Sequence, residues 1–509
     1  MKSIHFILLF LSISASAQHT IDIKARINNE KKTIEVEQEI EYFNSSDILI
    51  NEIYLNDWNN AFSSKNSALA KRFSDEFIRT FHLVKEEDRG YTKIISVIDN
   101  QLNTVAWTRS EKQVDIINFK LNQPIKPNTS QKIKVFYELK IPNERFTRYG
   151  FDSNGNIHLK DCFLTIPRFE NCQFVLESNE NLDDISNSLS NYNITINTPE
   201  NYTLFSDLIS KKNTEQNDLK SNILTSTNRQ TVTLVFQPTD KIKYKTYSNE
   251  IIQVISNLED KRLDEIQIAL VVDKITKYVA QELGKPSLEK IIVSNEDYEK
   301  NPFYGVNQLP SFINPFPDDF IFEIKFLKTY LNNLLKEELR LQHRKDHWIE
   351  EGIQHYLIMN YMDENYPKFK MLGTLSKIKI LKGYNLINVD FNEQFYYAYL
   401  FMARKNLDQP IGISKNASIK FNEQIAGKYR AGLSLRYLDS YLENNIVNKS
   451  IVEFIAMNKD FQTSKYDFEY ILQKKSKKNI DWFFETVINK RDLIDFKFNF
   501  STFFKFDSF

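Results

Sequence analysis

Asp346-His347-Trp348-Ile349-Glu350-Glu351-Gly352-Ile353-Gln354-His355-Tyr356 is the stretch on which the reading of the fold turns. Ile349, Ile353, Tyr356 and Leu357 recur at three- and four-residue spacing, so the pattern predicts a helix over Trp348 to Met362 with one buried side. Acids and histidines interleave with that apolar stripe. His343, His347, Glu351 and His355 recur every four residues, a spacing that puts them near one face of a continuous helix. Histidine pairs at i,i+4 are a donor pattern for zinc or copper. Against that, Arg344-Lys345-Asp346 reads as a turn leading into the helix, and polar histidines at a solvated helix entrance would have the same spacing.

Working outward, the upstream segment carries Leu327, Leu331, Leu335 and Leu339, a second helical stripe. Ile266 to Leu283 reads as a strand followed by a helix, and Ile291-Ile292-Val293 as a short strand. Downstream, helices are expected over Lys428 to Leu442, Ile451 to Met457 and Tyr466 to Ile488. Before about Ile251 the period shortens to two. Ile34, Val36, Ile40 and Tyr42 alternate with Glu35, Glu37, Glu39 and Glu41, and Ile133 to Ile141 repeats the alternation until Pro142 ends it. Leu49 to Leu55, Val114 to Phe119 and Val232 to Phe236 are further strand runs, and Ala68 to Phe81 is a small helical insertion. The class is therefore α+β, with a β-rich half over residues 18–248 and a mostly helical half over residues 249–492. Phe496, Phe498 and Phe500 alternate in the last residues, 493–509, as the start of a truncated or vestigial β segment.

Composition narrows the function. Of 509 residues, 66 are Lys or Arg and 67 Asp or Glu, so no net field draws nucleic acid, and no nucleic-acid partner is expected. Only 11 glycines are present, and neither G-x-G-x-x-G, G-x-x-x-x-G-K-[ST] nor G-x-S-x-G occurs, which sets aside nucleotide enzymes and serine hydrolases of those types. Lys2, the apolar run Phe6 to Leu11 and Ala15-Ser16-Ala17 make residues 1–17 a signal peptide, so export to the periplasm or the extracellular space is expected. No later stretch is long and apolar enough for a transmembrane helix. Cys162 and Cys172 either staple a hairpin at its base or stand as two separate thiols.

The quoted stretch resembles the W-L-x-E-G-x-x-x-Y helix of the gluzincin metallopeptidases, the alanyl (membrane) aminopeptidase family, through Trp348, Glu351, Gly352 and Tyr356. Gly305, Val306, Asn307, Gln308 and Leu309 stand where that family has its G-A-M-E-N strand, with Gln308 in place of the glutamate that grips the substrate amine. Tyr429-Arg430-Ala431-Gly432 is similar to the family's Y-x-K-G-A segment, whose tyrosine stabilises the oxyanion. The resemblance implies an N-terminal all-β saddle domain followed by a thermolysin-like domain, with Gly305 to Gln308 binding substrate and Glu351 as the third zinc ligand.

The same resemblance places H-E-x-x-H at Lys328-Thr329-Tyr330-Leu331-Asn332, counted back from Glu351. Lys328 and Asn332 then replace both histidines and Thr329 the general base. A protonated lysine cannot ligate zinc, and threonine takes no proton from water at neutral pH. Lys328 and Glu351 are expected to face each other as an ion pair where the metal would stand. The reading is a pseudo-peptidase with no cofactor that binds peptide or protein. Two others stand beside it: an active zinc metallopeptidase or aminopeptidase, whose Zn2+ site is either relocated to His343, His347, Glu351 and His355 or misaligned in the count above, and a structural envelope protein whose β half carries the interactions.

Overall fold

Ile34, Val36, Gln38, Ile40 and Tyr42 are buried while the four glutamates between them point outward, which fixes both the strand and its register. This strand, Thr33–Phe43, lies near the middle of a seven-stranded sheet. The order across it is Ile209–Gln216, Leu219–Arg229, Ser190–Pro199, His19–Asn28, Thr33–Phe43, Ser130–Lys140 and Tyr91–Asp99. His19–Asn28 pairs parallel with Ser190–Pro199, and the other neighbours are antiparallel. On the exposed face Lys132 and Lys134 reach across to Glu39 and Glu37 at 2.9 and 3.2 Å. The computed structural model describes residues 18–180, 184, 186–216, 219–304, 314–377, 385–457, 459 and 461–491. The chain forms two compact units: Met1–Leu182 with Asn187–Ile242, and Asp183–Ser186 with Lys243–Phe509.

The first unit adds a four-stranded and a three-stranded sheet to the large one, and its core is mainly Ile, Val, Leu and aromatic residues. The helical insertion is two short pieces, α1 (Ala68–Asp75) and α2 (Thr80–Leu83). Cys162 and Cys172 are both free thiols, the first buried and the second exposed. The hairpin expected between them is instead Phe169–Glu170 with Gln173–Phe174, and Cys172 lies in its turn at φ +61°.

The second unit opens with strands Lys245–Ser248, Gln253–Ser256 and Lys290–Val293, the last two parallel. Between them runs α3 (Glu265–Leu283), one helix from its first residue. A strand at its start is thus corrected: Asp264 and Gln267 form a capping box that nucleates the helix there. After α4 (Asn295–Lys300) come α5 (Asp318–Leu339) and α6 (His347–Asn365). Both are buried on nearly every side, so they are central helices and not amphipathic covers. Around them lie α7 (Glu393–Arg404), α8 (Gly427–Leu442), α9 (Ile446–Met457) and α10 (Lys465–Ser476). The helix expected from Tyr466 to Ile488 is interrupted: α10 ends at Lys477, whose φ is +50°, and a π-turn follows at Phe483–Ile488.

α6 and α8 pack closely because small residues meet at the crossing. A Cβ on Gly432 would lie 2.6 Å from His355 Cβ, and one on Gly352 would lie 3.2 Å from Leu435 Cδ1 and 3.3 Å from Ala431 Cβ. The closeness brings the N-terminal end of α8 against the middle of α6. Residues 1–17, Gly305, Val306, Asn307, Gln308, Leu309 and 493–509 lie outside the described residues. No helix among the described residues is long and apolar enough to cross a membrane.

Candidate functional site

Glu351 is the centre of a buried polar cluster inside the helical unit. Its partners are Lys428 Nζ at 3.4 Å, Lys415 Nζ at 3.5 Å and His347 Nε2 at 4.0 Å. Burial opposes ionisation of this carboxyl, but Lys428 and Lys415 outweigh it and hold the pKa down at about 2. In return Glu351 raises the Lys415 ammonium above its ordinary value despite burial.

Each lysine is held by a specific local device. Lys428 is the second residue of α8, which is entered through a π-turn at Asn422–Ala426. Gly427 permits that turn, since a Cβ there would lie 2.7 Å from Asn422 O. Lys415 hangs from the turn before α6: its N–H donates to Arg344 O at 3.1 Å, and Ser414 Oγ donates to the same oxygen at 3.4 Å. Arg344 is in turn fixed by Asp184, with Nε and Nη2 donating at 2.9 and 2.8 Å in a fully buried bidentate pair.

Lys328 does not pair with Glu351, and that expectation is corrected. Its Nζ donates to Asn301 Oδ1 at 3.3 Å and Gln354 Oε1 at 3.4 Å. The pairing fails because Lys428 and Lys415 already occupy the carboxylate, and Gln354 Nε2, bonded to Lys328 O at 3.0 Å, turns its own oxygen toward the ammonium. Burial, then the like charge of Lys428, pushes the Lys328 pKa well below its ordinary value. Thr329 Oγ1 is spent on Lys325 O at 2.8 Å, one turn back along its own helix. Asn332 Oδ1 accepts from Asn301 Nδ2 at 3.0 Å. Asn301 is thus the hub: its Oδ1 also accepts from Lys428 Nζ at 3.0 Å.

His347, Glu351 and His355 share one face of α6, but His343 does not join it. α6 begins only at His347, with Asp346 as its N-cap, so His343 lies in the preceding turn and bonds Glu350 Oε2 through Nδ1 at 3.0 Å. His355 Nδ1 meets Glu351 O at 2.8 Å, and burial followed by the charge of Lys328 holds its pKa near 3. Among the described residues no group of three or more His, Cys, Asp and Glu side chains is placed to hold a metal ion. Tyr429 is buried, its ring 4.7 Å from Phe395 and 5.1 Å from His355, so it packs as a core aromatic. Asn301, Lys415 and Lys428 were not picked out by sequence reasoning. Lys428 had one signal, its position beside Tyr429, and Asn301 another, four residues before Gly305; Lys415 stands in a loop outside the motifs.

Acid should weaken this unit. His355 stays neutral in the fold down to pH near 3, whereas the unfolded chain takes up a proton near 6.5. Stability is therefore fully present above pH 6.5 and falls below it, by about 1.4 kcal/mol per pH unit from this group. Glu351 adds a second loss between about 4.5 and 2, where only the unfolded carboxyl is protonated. Thermal melts from pH 8 to 5 should show a shallower acid limb in His355→Gln than in the parent; equal slopes would remove His355 from the account.

No protein-family profile matches this sequence, and no curated protein sequence matches it. Solved structures do. The chain is similar to the M1 zinc metallopeptidase from Deinococcus radiodurans at a TM-score of 0.57 and 11% identity, over 94% of this chain and 95% of that one. A point variant of that protein bound to a Tyr-Ser-Ala substrate matches at 0.58 and 10% identity, over 94% and 96%. A variant of a two-domain M1 zinc metallopeptidase bound to L-tryptophan matches at 0.56 and 12%, over the same shares. At such identities the likeness is one of fold: a large β-sheet region followed by a helical region, as in the M1 metallopeptidases.

Proposed function

We propose that this chain is an exported, catalytically inactive protein on the M1 metallopeptidase fold, which binds peptide or protein where its neighbours cleave. The observation that carries this reading is the occupation of Glu351 by two ammonium groups at 3.4 and 3.5 Å. Among the described residues no group of three or more His, Cys, Asp and Glu side chains is placed to hold zinc. Lys328, Thr329 and Asn332 stand at the positions that the resemblance assigns to two histidines and a general base. Thr329 and Asn332 are bonded within the protein, and Lys328 is a donor with no ligating capacity while charged. His355 turns Nδ1 to a backbone carbonyl, and Tyr429 is packed between two rings. A site with neither metal ligands nor base retains positioning but no means to activate water. The thermolysin-like helical domain and the saddle-like β domain are kept as the frame, and residues 1–17 direct export.

The test is elemental mass spectrometry on mature protein purified without chelator or histidine tag, beside a Glu351→Ala variant. The reading expects no stoichiometric metal in either, no hydrolysis of aminoacyl substrates, and binding of some members of a fluorescent peptide library by polarisation. About one zinc per chain, lost in Glu351→Ala and accompanied by chelator-sensitive hydrolysis, would establish an active peptidase instead. No binding by any peptide would remove the binding role.

A further inference from the structure

Lys328 is 2% exposed and, among the described residues, has no carboxylate within ion-pairing distance but two amide oxygens at 3.3 and 3.4 Å. Lys428 shares one of those oxygens, so two ammonium groups crowd a single neutral acceptor. The carboxylate of the cluster, Glu351, is taken by Lys428 and Lys415. The nearby histidines add no negative charge. Glu350, the neighbouring acid on α6, is turned to His343. At Lys328 itself the hydrogen-bond acceptors are the neutral amide oxygens of Asn301 and Gln354, with Lys428 sharing the first. Burial and the nearby Lys428 make the charged form of Lys328 costly, and a carboxylate brought beside it would favour that form, since a charge-assisted bond to a carboxylate is about twice as strong as one to an amide.

We infer that the site takes a carboxylate of its ligand, received at Lys328 with Lys428 beside it. This deepens the peptide-binding reading above and rests on it. The carboxylate is supplied either by the C-terminus of a peptide or by an acidic side chain, and the two share one chemistry at the ammonium. An aminopeptidase-like fold would then be selecting the acid group of a peptide rather than its amine.

The experiment uses fluorescein-labelled random hexapeptides on the full mature chain, in four forms: free C-terminus or C-terminal amide, each with acidic side chains present or replaced by their amides. Polarisation should give binding at least tenfold tighter for forms with a carboxylate than for the form with none, the gain expected of one charged contact of about 1.5 kcal/mol. If the C-terminus is the source, amidation alone removes the gain; if a side chain is, the amide replacements do. Lys328→Met should abolish the difference while Lys328→Arg keeps it, with thermal melts establishing that each variant folds. Equal binding of all four forms, or an undiminished preference in folded Lys328→Met, would overturn the carboxylate site while leaving peptide binding intact. Should Lys328→Met not fold, the four forms on the parent and on Lys328→Arg still decide it. Absence of binding by every form would sink the peptide reading and this inference together.

Discussion

Lys428→Met should cost the helical unit about 3–5 kcal/mol, because it strips a buried carboxylate of one ammonium and leaves the other lysine to hold it. The direction follows from the asymmetry of buried pairs. Glu351 is desolvated whether or not Lys428 is present, so removing that lysine exposes the part of the cost that Lys415 alone does not offset. Removing the carboxylate with its partners should undo much of the loss. Lys415→Met, Lys428→Met and Glu351→Leu together would place three apolar side chains in a space closed by α6 and α8, and such replacements are often neutral or stabilising. Denaturant unfolding of the single variants and the triple one tests this. Losses that simply add, with the triple variant the least stable, would show that the three groups are not coupled.

Arg344→Met should cost a similar amount, about 3–5 kcal/mol, by orphaning Asp184. Both partners are fully buried, and the bond is bidentate, the strongest geometry for this pair. Asp184→Asn, which keeps shape and one acceptor, should cost less than Arg344→Met. The damage should also spread, since the Arg344 backbone carries Lys415, which lies 3.5 Å from Glu351. Hydrogen exchange should show the Lys415 amide opening more often in Arg344→Met. An unchanged Lys415 amide in a destabilised variant would mean that the turn holds its shape without the side-chain pair.

The strands and central helices were legible because their apolar period is long and regular. Ile34 to Tyr42 and Leu327 to Leu339 each sustain one period over several repeats; in the strand burial of one face leaves a single register, while in α5 the stripe marks the helix although nearly every side is buried. Ile266 to Leu283 misled because its continuous apolar run fits either element, and the capping box at Asp264 and Gln267 decided it. Tyr466 to Ile488 misled because the left-handed residue that ends α10 is a lysine, which gives no sign of stopping.

The site was legible only where it is local. Four residues of α6 set Glu351 among Trp348, Gly352 and Tyr356, and this arrangement is a property of the helix alone. What meets Glu351 is a property of the fold. Lys415 and Lys428 arrive from 64 and 77 positions away in the sequence, and Asn301 from 50. Lys328 looked like the partner because alignment placed it opposite, but ammonium groups compete for one carboxylate, and those set nearer by the Arg344 turn and the π-turn before α8 take it. Period and composition by themselves determined the two-part α+β architecture, since burial of apolar faces depends on spacing along the chain. The charge partners at the centre were decided only by tertiary structure, because Coulomb attraction in a buried site depends on separations of a few ångström that no spacing in the sequence encodes.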